Sequence, residues 1–184
     1  EMQRSLVGSE MCIRDSYNKV QLKVFHTGGM INMNEKNVCN PLLLKNQLCF
    51  PLYASARKIV AAYTPYLKEL DLTYPQYVTM MVLWEDRTIT MRDLGERLYL
   101  DSGTLTPVLK KLEAQGYVKR YRKPDDERVV VVEITPDGLA LRDKALKVPH
   151  AMGCLINRKG PLFTAEEVAD LKEKLYRILH VLEE

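Results

Sequence analysis

Residues 98–135 read LYLDSGTLTPVLKKLEAQGYVKRYRKPDDERVVVVEIT, and this stretch decides the fold. Its first half is a helix. Asp101 or Ser102 can cap the start, because a short side-chain oxygen accepts from a backbone N–H that the first turn leaves unpaired. Gly116 suits the position just past the end, where chains commonly turn left-handed. Leu105, Val108, Leu109 and Leu112 recur at helical spacing, so that face packs inward. Thr104, Thr106, Lys110 and Lys111 fall elsewhere on the helix surface. The second half is β-branched, and strands are expected over about 118–121 and 129–134, joined by a charged turn over 123–127. From Lys110 to Lys123 six Lys/Arg stand against one acid, Glu113. A short helix followed by a basic hairpin is what a winged helix-turn-helix requires. The helix enters a DNA major groove and the hairpin reaches along the backbone to the minor groove.

Bulk composition narrows the alternatives without deciding among them. With 184 residues, the chain holds one domain, or one domain and a tail. A net charge of +3 is too small to argue for nucleic acid alone, so the local charge pattern carries that argument. No apolar run reaches the roughly 18 residues of a membrane span, and no long apolar stretch near the start marks a signal peptide. The expectation is a cytoplasmic chain. Cys12, Cys39, Cys49 and Cys154 show no C-x-x-C spacing and make no zinc site, so neither metal nor cofactor is expected. Such thiols are buried filler or redox-active.

Residues 1–38 differ from the rest: they are polar and lack a sustained period. The segment SLVGSEMCIRDS (5–16) resembles translated non-coding or adapter sequence, and Met30 and Met33 are plausible starts. This leader is set apart from a domain over 39–184. In that domain a DNA-reading lobe is expected over about 73–135, with dimerisation helices over about 46–70 and 136–184. The first helix, about 46–70, repeats Leu48, Leu52, Ala56, Ile59 and Tyr63. Pro51 does not suit a helix interior, so the helix starts only a turn or so before it; Asn46 is then a reasonable N-cap, which places Cys49 in the first turn, where the helix dipole favours an anion. Pro65 bends or ends the helix. Thr73-Tyr74-Pro75-Gln76 reads as a capping box opening a helix over about 74–85 that is apolar almost all round. Thr90 caps a short helix through Leu98. Beyond the wing, Thr135-Pro136 opens a helix to about Lys147, and Pro149, Gly153, Gly160 and Pro161 mark a break. Thr164–Glu167 is a second capping box, ahead of a last helix carrying Val168, Leu171, Leu175, Ile178, Leu179 and Leu182. The fold class is therefore mainly α: a winged helix-turn-helix whose first and last helices pack across a two-fold axis.

The segment DERVVVVEITPDG (126–138) resembles the D-E-R…L-T-x-x-G signature of MarR-type repressors. NQLCF (46–50), LTYPQY (72–77) and LYLDSGTLTP (98–107) resemble their organic hydroperoxide resistance members. The likeness runs from about Asn46 to the C-terminus. It implies a homodimer on a palindromic double-stranded operator near a peroxidase gene. It also implies that Cys49 is oxidised by organic hydroperoxides, and that Tyr63 and Tyr74 hydrogen-bond its sulfur. Cys49 and Tyr63 are 14 positions apart, roughly 21 Å along one helix, so if the helix is continuous their contact needs the partner subunit. In the two-cysteine type of this family, a thiol after a V-P resolves the sulfenic acid into an intersubunit disulfide. Cys154, after Val148-Pro149, stands at the matching place.

Each residue has a plainer reading beside this one. A lone cysteine such as Cys49 is most often a structural thiol, Cys154 an inert loop thiol, and Tyr63 and Tyr74 core aromatics. Lys110 and Lys111 are phosphate contacts or a solvated helix face. Ser102, Thr104 and Thr106 are candidates for base or phosphate contact. Arg128 resembles the family's wing-tip arginine, with Asp126 orienting it by a salt bridge. His26, His150 and His180 have no ligand spacing and receive no role. Two other functions compete: a regulator of the same family gated by a phenolic or similar ligand in the dimer cleft, and an enzyme, a thiol peroxidase using the same cysteine.

Overall fold

In the computed structural model, residues 42–183 are described. The leader 1–38, with Cys12, and Cys39 just after it lie outside the described residues. Residues Leu44–Asn46 form a single 3-10 turn in an N-terminal unit that closes at Gln47. The second unit, Leu48–Glu184, carries the fold. Its elements run α1 (Cys49–Lys68), α2 (Tyr74–Asp86), β1 (Thr88–Thr90), α3 (Met91–Leu98), α4 (Ser102–Ala114), β2 (Val118–Lys123), β3 (Asp126–Ile134), α5 (Pro136–Ala145), α6 (Lys147–Ile156) and α7 (Ala165–Glu183). The expected mainly helical winged helix-turn-helix is what the chain forms.

Helix α1 begins three residues later than Asn46 suggested. Leu48 precedes it and no side chain caps it, so Asn46 is not its N-cap. Pro51 is the third helical residue, where the missing N–H costs nothing because first-turn amides have no intrahelical partner. Pro65 neither ends nor replaces the helix, which continues to Lys68. Leu67, Leu70 and Leu72, all buried just beyond Pro65, hold that last turn in the core against the lost backbone bond.

At α2 the Thr73 N–H donates to Gln76 Oε1 at 2.8 Å and the Thr73 hydroxyl donates to the same oxygen at 3.0 Å. Tyr77, Met80 and Leu83 are buried on one face, but Met81 is exposed and Trp84 half-buried, so the helix is less uniformly apolar in its surroundings than its sequence. Thr90 accepts from the Asp93 N–H at the start of α3, and Asp101 accepts from the Thr104 N–H at the start of α4. Gly116, at φ 81°, follows the end of α4. Leu105, Leu109 and Leu112 have no exposed surface and form the centre of the core with Met80, Leu83, Leu94 and Val132.

The wing strands are longer than expected and their turn is shorter. Strand β2 pairs antiparallel with β3 from Val118↔Ile134 to Lys123↔Asp126, with a register shift between Arg122 and Lys123. Only Pro124 and Asp125 remain at the tip. A third strand, β1, pairs with the far edge of β3, Ile89 opposite Val132, giving the order β1-β3-β2. Three residues, Thr-Ile-Thr, carry too little periodicity to be seen in sequence.

Two further expectations change at the C-terminal side. The helix after the wing breaks at Leu146, between α5 and α6, rather than at Pro149. Pro149 is the third residue of α6 and therefore again sacrifices no backbone bond. Helix α6 passes through Gly153, so Cys154 is helical and not in a loop. The predicted box at α7 forms: Thr164 N–H donates to Glu167 Oε2 at 2.8 Å and Glu167 N–H to Thr164 Oγ1 at 3.2 Å. No residue of α7 is buried, and Val168, Leu171, Leu175 and Ile178 all face solvent in the single chain.

Candidate DNA-reading surface and thiol sites

The surface of α4 divides its predicted contact residues between two flanks. Ser102, Thr106 and Lys110 recur every four residues along one, and Thr104 and Lys111, seven apart, share another. Both threonine hydroxyls are engaged locally. Thr104 Oγ1 donates to Asp101 Oδ2 at 2.9 Å, and Thr106 Oγ1 donates to the Ser102 carbonyl at 2.6 Å. Each hydroxyl therefore faces outward chiefly as an acceptor. The Thr104 backbone N–H, and then its hydroxyl, hold the Asp101 carboxyl below its ordinary range. A lowered carboxyl supplies its capping stability above that range and loses it as pH falls through the native value. Lys110 and Lys111 are exposed, but Lys111 also borders a groove that α4 shares with α1 and residues 71–76.

Fewer basic side chains of the wing are free than the count suggests. Arg120 donates from Nε to Glu113 Oε2 at 3.0 Å, and its backbone N–H donates to Glu113 Oε1 at 3.1 Å, fixing β2 to α4. Arg120 in turn is the main reason that Glu113 titrates low. Arg122 is turned back onto the Glu127 carbonyl. Lys110, Lys119, Lys123 and Arg128 are exposed and, among the described residues, enter no ion pair. The expected Asp126–Arg128 salt bridge does not form. Asp126 Oδ1 instead accepts from the Arg128 backbone N–H at 3.0 Å. A carboxylate two residues back fits a local turn bond more readily than it reaches a long side chain. It orders the strand carrying Arg128 and leaves the guanidinium unpaired. For Arg128→Ala, operator affinity is expected to fall and the slope of log K against log salt to shrink by about 1, with dimerisation unchanged. A salt titration by fluorescence anisotropy checks this.

One contact was missed in the sequence. Arg97 of α3 pairs with both Glu85 and Asp86 at the end of α2. Two adjacent acids at a helix C-terminus oppose the dipole and call for a cation, so the signal was present.

The thiols and tyrosines are arranged in two groups. Cys49 is the first residue of α1 and is exposed. No acidic residue lies in that first turn. Tyr63 and Tyr74 pack edge to face with centroids 5.1 Å apart, and Tyr77 adjoins Tyr63 at 6.1 Å. Burial, reinforced by Tyr63, raises the Tyr74 phenol above its ordinary value, so at neutral pH it keeps its proton and can donate. The helix between Cys49 and Tyr63 is unbroken, which sets the two positions about 21 Å apart along its axis within one chain. Cys154 is exposed on α6 and not bonded to Cys49. Leu48, Phe50, Tyr53 and Ile59 on or beside α1 and Leu155 and Ile156 on α6 are exposed as well, so apolar surface surrounds both thiols. Among the described residues no group of acids, His or Cys is placed to hold a metal, and no helix is long and apolar enough to cross a membrane.

Known proteins resemble this chain in sequence and in fold. The family described as transcriptional regulator SarA/Rot matches residues 61–144, from the second half of α1 to most of α5. The organic hydroperoxide resistance transcriptional regulator of Bacillus subtilis (strain 168) is 44% identical over 147 residues, 80% of this chain and 97% of that protein. Reduced AbfR bound to DNA superposes with a TM-score of 0.64 at 33% identity, covering 77% of this chain and 95% of that one. AbfR, from Staphylococcus epidermidis, is also known with a disulfide formed, at TM-score 0.54 and 31% identity, covering 74% and 92%. A cysteine-to-serine mutant of MarR from E. coli, complexed with operator DNA, superposes at 0.63 with 28% identity over 72% of this chain and 93% of that one. These relatives are transcriptional regulators, not enzymes. With a basic wing, a capped helix ahead of it and this likeness over most of its length, the chain belongs to the MarR family of DNA-binding transcriptional regulators and is a relative of its organic hydroperoxide resistance members.

Proposed function

We propose that this protein is a homodimeric repressor that binds double-stranded operator DNA when reduced and releases it when an organic hydroperoxide oxidises Cys49. The observation that carries the reading is the separation of Cys49 from Tyr63 along one continuous helix, with Tyr74 packed against Tyr63 and exposed apolar surface around the thiol. A second copy laid against α1, α6 and α7 covers that surface and brings its own tyrosine pair to the sulfur. The Cys49 thiolate attacks a peroxide oxygen, the O–O bond breaks, and the alkoxide leaves to become an alcohol. The sulfur is then a sulfenic acid. The Cys154 sulfur of the partner subunit displaces its oxygen as water, and an interchain disulfide forms. Shifting the two subunits displaces the two α4–wing units from successive major grooves. The B. subtilis relative supports the signal by name, and AbfR supports a disulfide state in this fold.

A redox-dependent mobility shift tests the reading: cumene hydroperoxide should release operator DNA and dithiothreitol should restore binding. On a non-reducing gel, peroxide-treated wild type should give a dimer band that Cys154→Ser removes. A wild type that stays monomeric on that gel would rule out the two-cysteine route.

A second reading has an observation of its own. The groove bordered by Val60, Leu67, Leu72, Tyr74, Pro75 and Lys111 has a volume of about 400 Å³. Its apolar walls and lysine suit a phenolic acid. Release by such a ligand, unaffected by dithiothreitol, would favour non-covalent gating.

A further inference from the structure

Helix α6 presents a second titratable group to Cys154. His150 precedes it by four residues, one helical turn, and His150 Nδ1 lies 4.0 Å from Cys154 Sγ, with both side chains exposed. With its proton on Nε2, the ring offers Nδ1 as an acceptor for the thiol proton. Once protonated, it offers Nδ1–H to the thiolate. We propose that His150 is the proton acceptor that activates Cys154 for its attack on the Cys49 sulfenic acid of the partner subunit. This rests on the resolving role given to Cys154 above.

The step balances within the groups named. His150 takes the Cys154 proton, and the thiolate sulfur attacks the Cys49 sulfur. The S–S bond forms as the S–O bond breaks, and the imidazolium returns its proton to the departing hydroxide, giving water. No oxidant beyond the hydroperoxide is required. A sulfenic acid waits for a thiolate rather than a thiol, so a base beside the second sulfur sets how quickly the first becomes a disulfide.

The surroundings leave this task to His150. Helix α6 packs on α1 and α5. The titratable and charged groups of α1 are Cys49, Tyr53, Arg57, Lys58, Tyr63, Tyr66 and Lys68, and those of α5 are Asp137, Arg142, Asp143 and Lys144. On its own helix and just past it stand Lys147, Arg158 and Lys159. Among the described residues none of these reaches His150 or Cys154 by a hydrogen bond or ion pair. Most are cations at neutral pH and cannot accept a proton. Helix propensity gives no reason for a histidine here, since His ranks below Ala, Leu, Lys and Glu.

The test uses full-length Cys49→Ser protein, in which no sulfenic acid forms at position 49. Alkylation of Cys154 by iodoacetamide is followed on its own peptide by mass spectrometry from about pH 5 to 9, which separates it from Cys12 and Cys39. Reactivity should show a limb set by imidazole deprotonation, ahead of the ordinary thiol rise. In His150→Ala that limb should vanish, leaving only the ordinary thiol rise and lowering the rate at neutral pH roughly three- to tenfold. Added imidazole should restore part of the loss, which a merely structural histidine would not allow. An unchanged profile in His150→Ala overturns the proposal. Should the profile change while wild-type protein forms no interchain disulfide, the His–Cys pair stands but the resolving role of Cys154 falls, and the use proposed for the pair falls with it.

Discussion

Cys49→Ser is expected to bind operator DNA as tightly as the reduced wild type and to hold it in cumene hydroperoxide. For the wild type, a coupling of ordinary allosteric size, roughly 1–3 kcal/mol, already weakens DNA binding about 5- to 150-fold on oxidation, and a covalent crosslink can add to this. The variant should reduce that factor to one. Its DNA affinity should survive because Cys49 lies at the first residue of α1, exposed and outside the core formed by α2, α4 and the sheet. Serine is nearly isosteric with cysteine but its hydroxyl does not attack peroxides. Mobility shifts with and without peroxide, at one stated salt concentration, measure both quantities. Unchanged release by Cys49→Ser would refute the redox reading and favour a ligand in the groove beside Lys111.

The second large effect concerns stability. Gly138→Ala should destabilise the fold by at least the roughly 1–3 kcal/mol typical of overpacking, read as a lowered denaturation midpoint. A Cβ at residue 138 would lie 2.2 Å from the Tyr117 carbonyl oxygen and 2.8 Å from Ile134 Cγ1. The obstacle is backbone and cannot swing away. Tyr117 O is held by the Thr135 N–H at 3.0 Å, and Tyr117 N–H is held by the Leu112 carbonyl at 3.0 Å. The Thr135 hydroxyl donates to the Gly116 carbonyl at 2.6 Å and accepts from the Gly138 N–H at 3.0 Å, while Trp84 Nε1 donates to the Gly138 carbonyl at 2.8 Å. The I-T-P-D-G segment therefore joins three elements: α5, the loop entering the wing, and α2. Unfolding by urea, followed by Trp84 fluorescence, checks this; a midpoint equal to wild type would refute the account.

Several features were legible because a local rule was enough. Asp101, Thr90 and Thr164 stand where helix starts need an acceptor, and each accepts there. Leu105, Leu109 and Leu112 keep helical spacing and are all fully buried. At position 51 proline marked a nearby helix start, which falls two residues before it. At position 65 its local cost was outweighed by the buried leucines that follow it, none of which a local rule weighs. The Asp126–Arg128 expectation failed for a related reason. Charge complementarity at i, i+2 says nothing about whether a nearer backbone N–H will take the carboxylate first.

The sequence by itself determined the winged helix-turn-helix and the family, because caps, periodicity and a basic hairpin are written in neighbouring residues. It also placed Cys49 at a helix start and Cys154 beyond the wing. Only the tertiary structure decided which basic residues stay unpaired, since Arg120 is engaged by Glu113 and Arg122 by the Glu127 carbonyl. It decided that Cys154 is helical and faces His150, a histidine that spacing alone left without a role. The distinction is physical. Backbone propensity and capping act over a few residues, whereas the partner a charged or nucleophilic side chain meets depends on where other elements, or one more helical turn, bring a competing group.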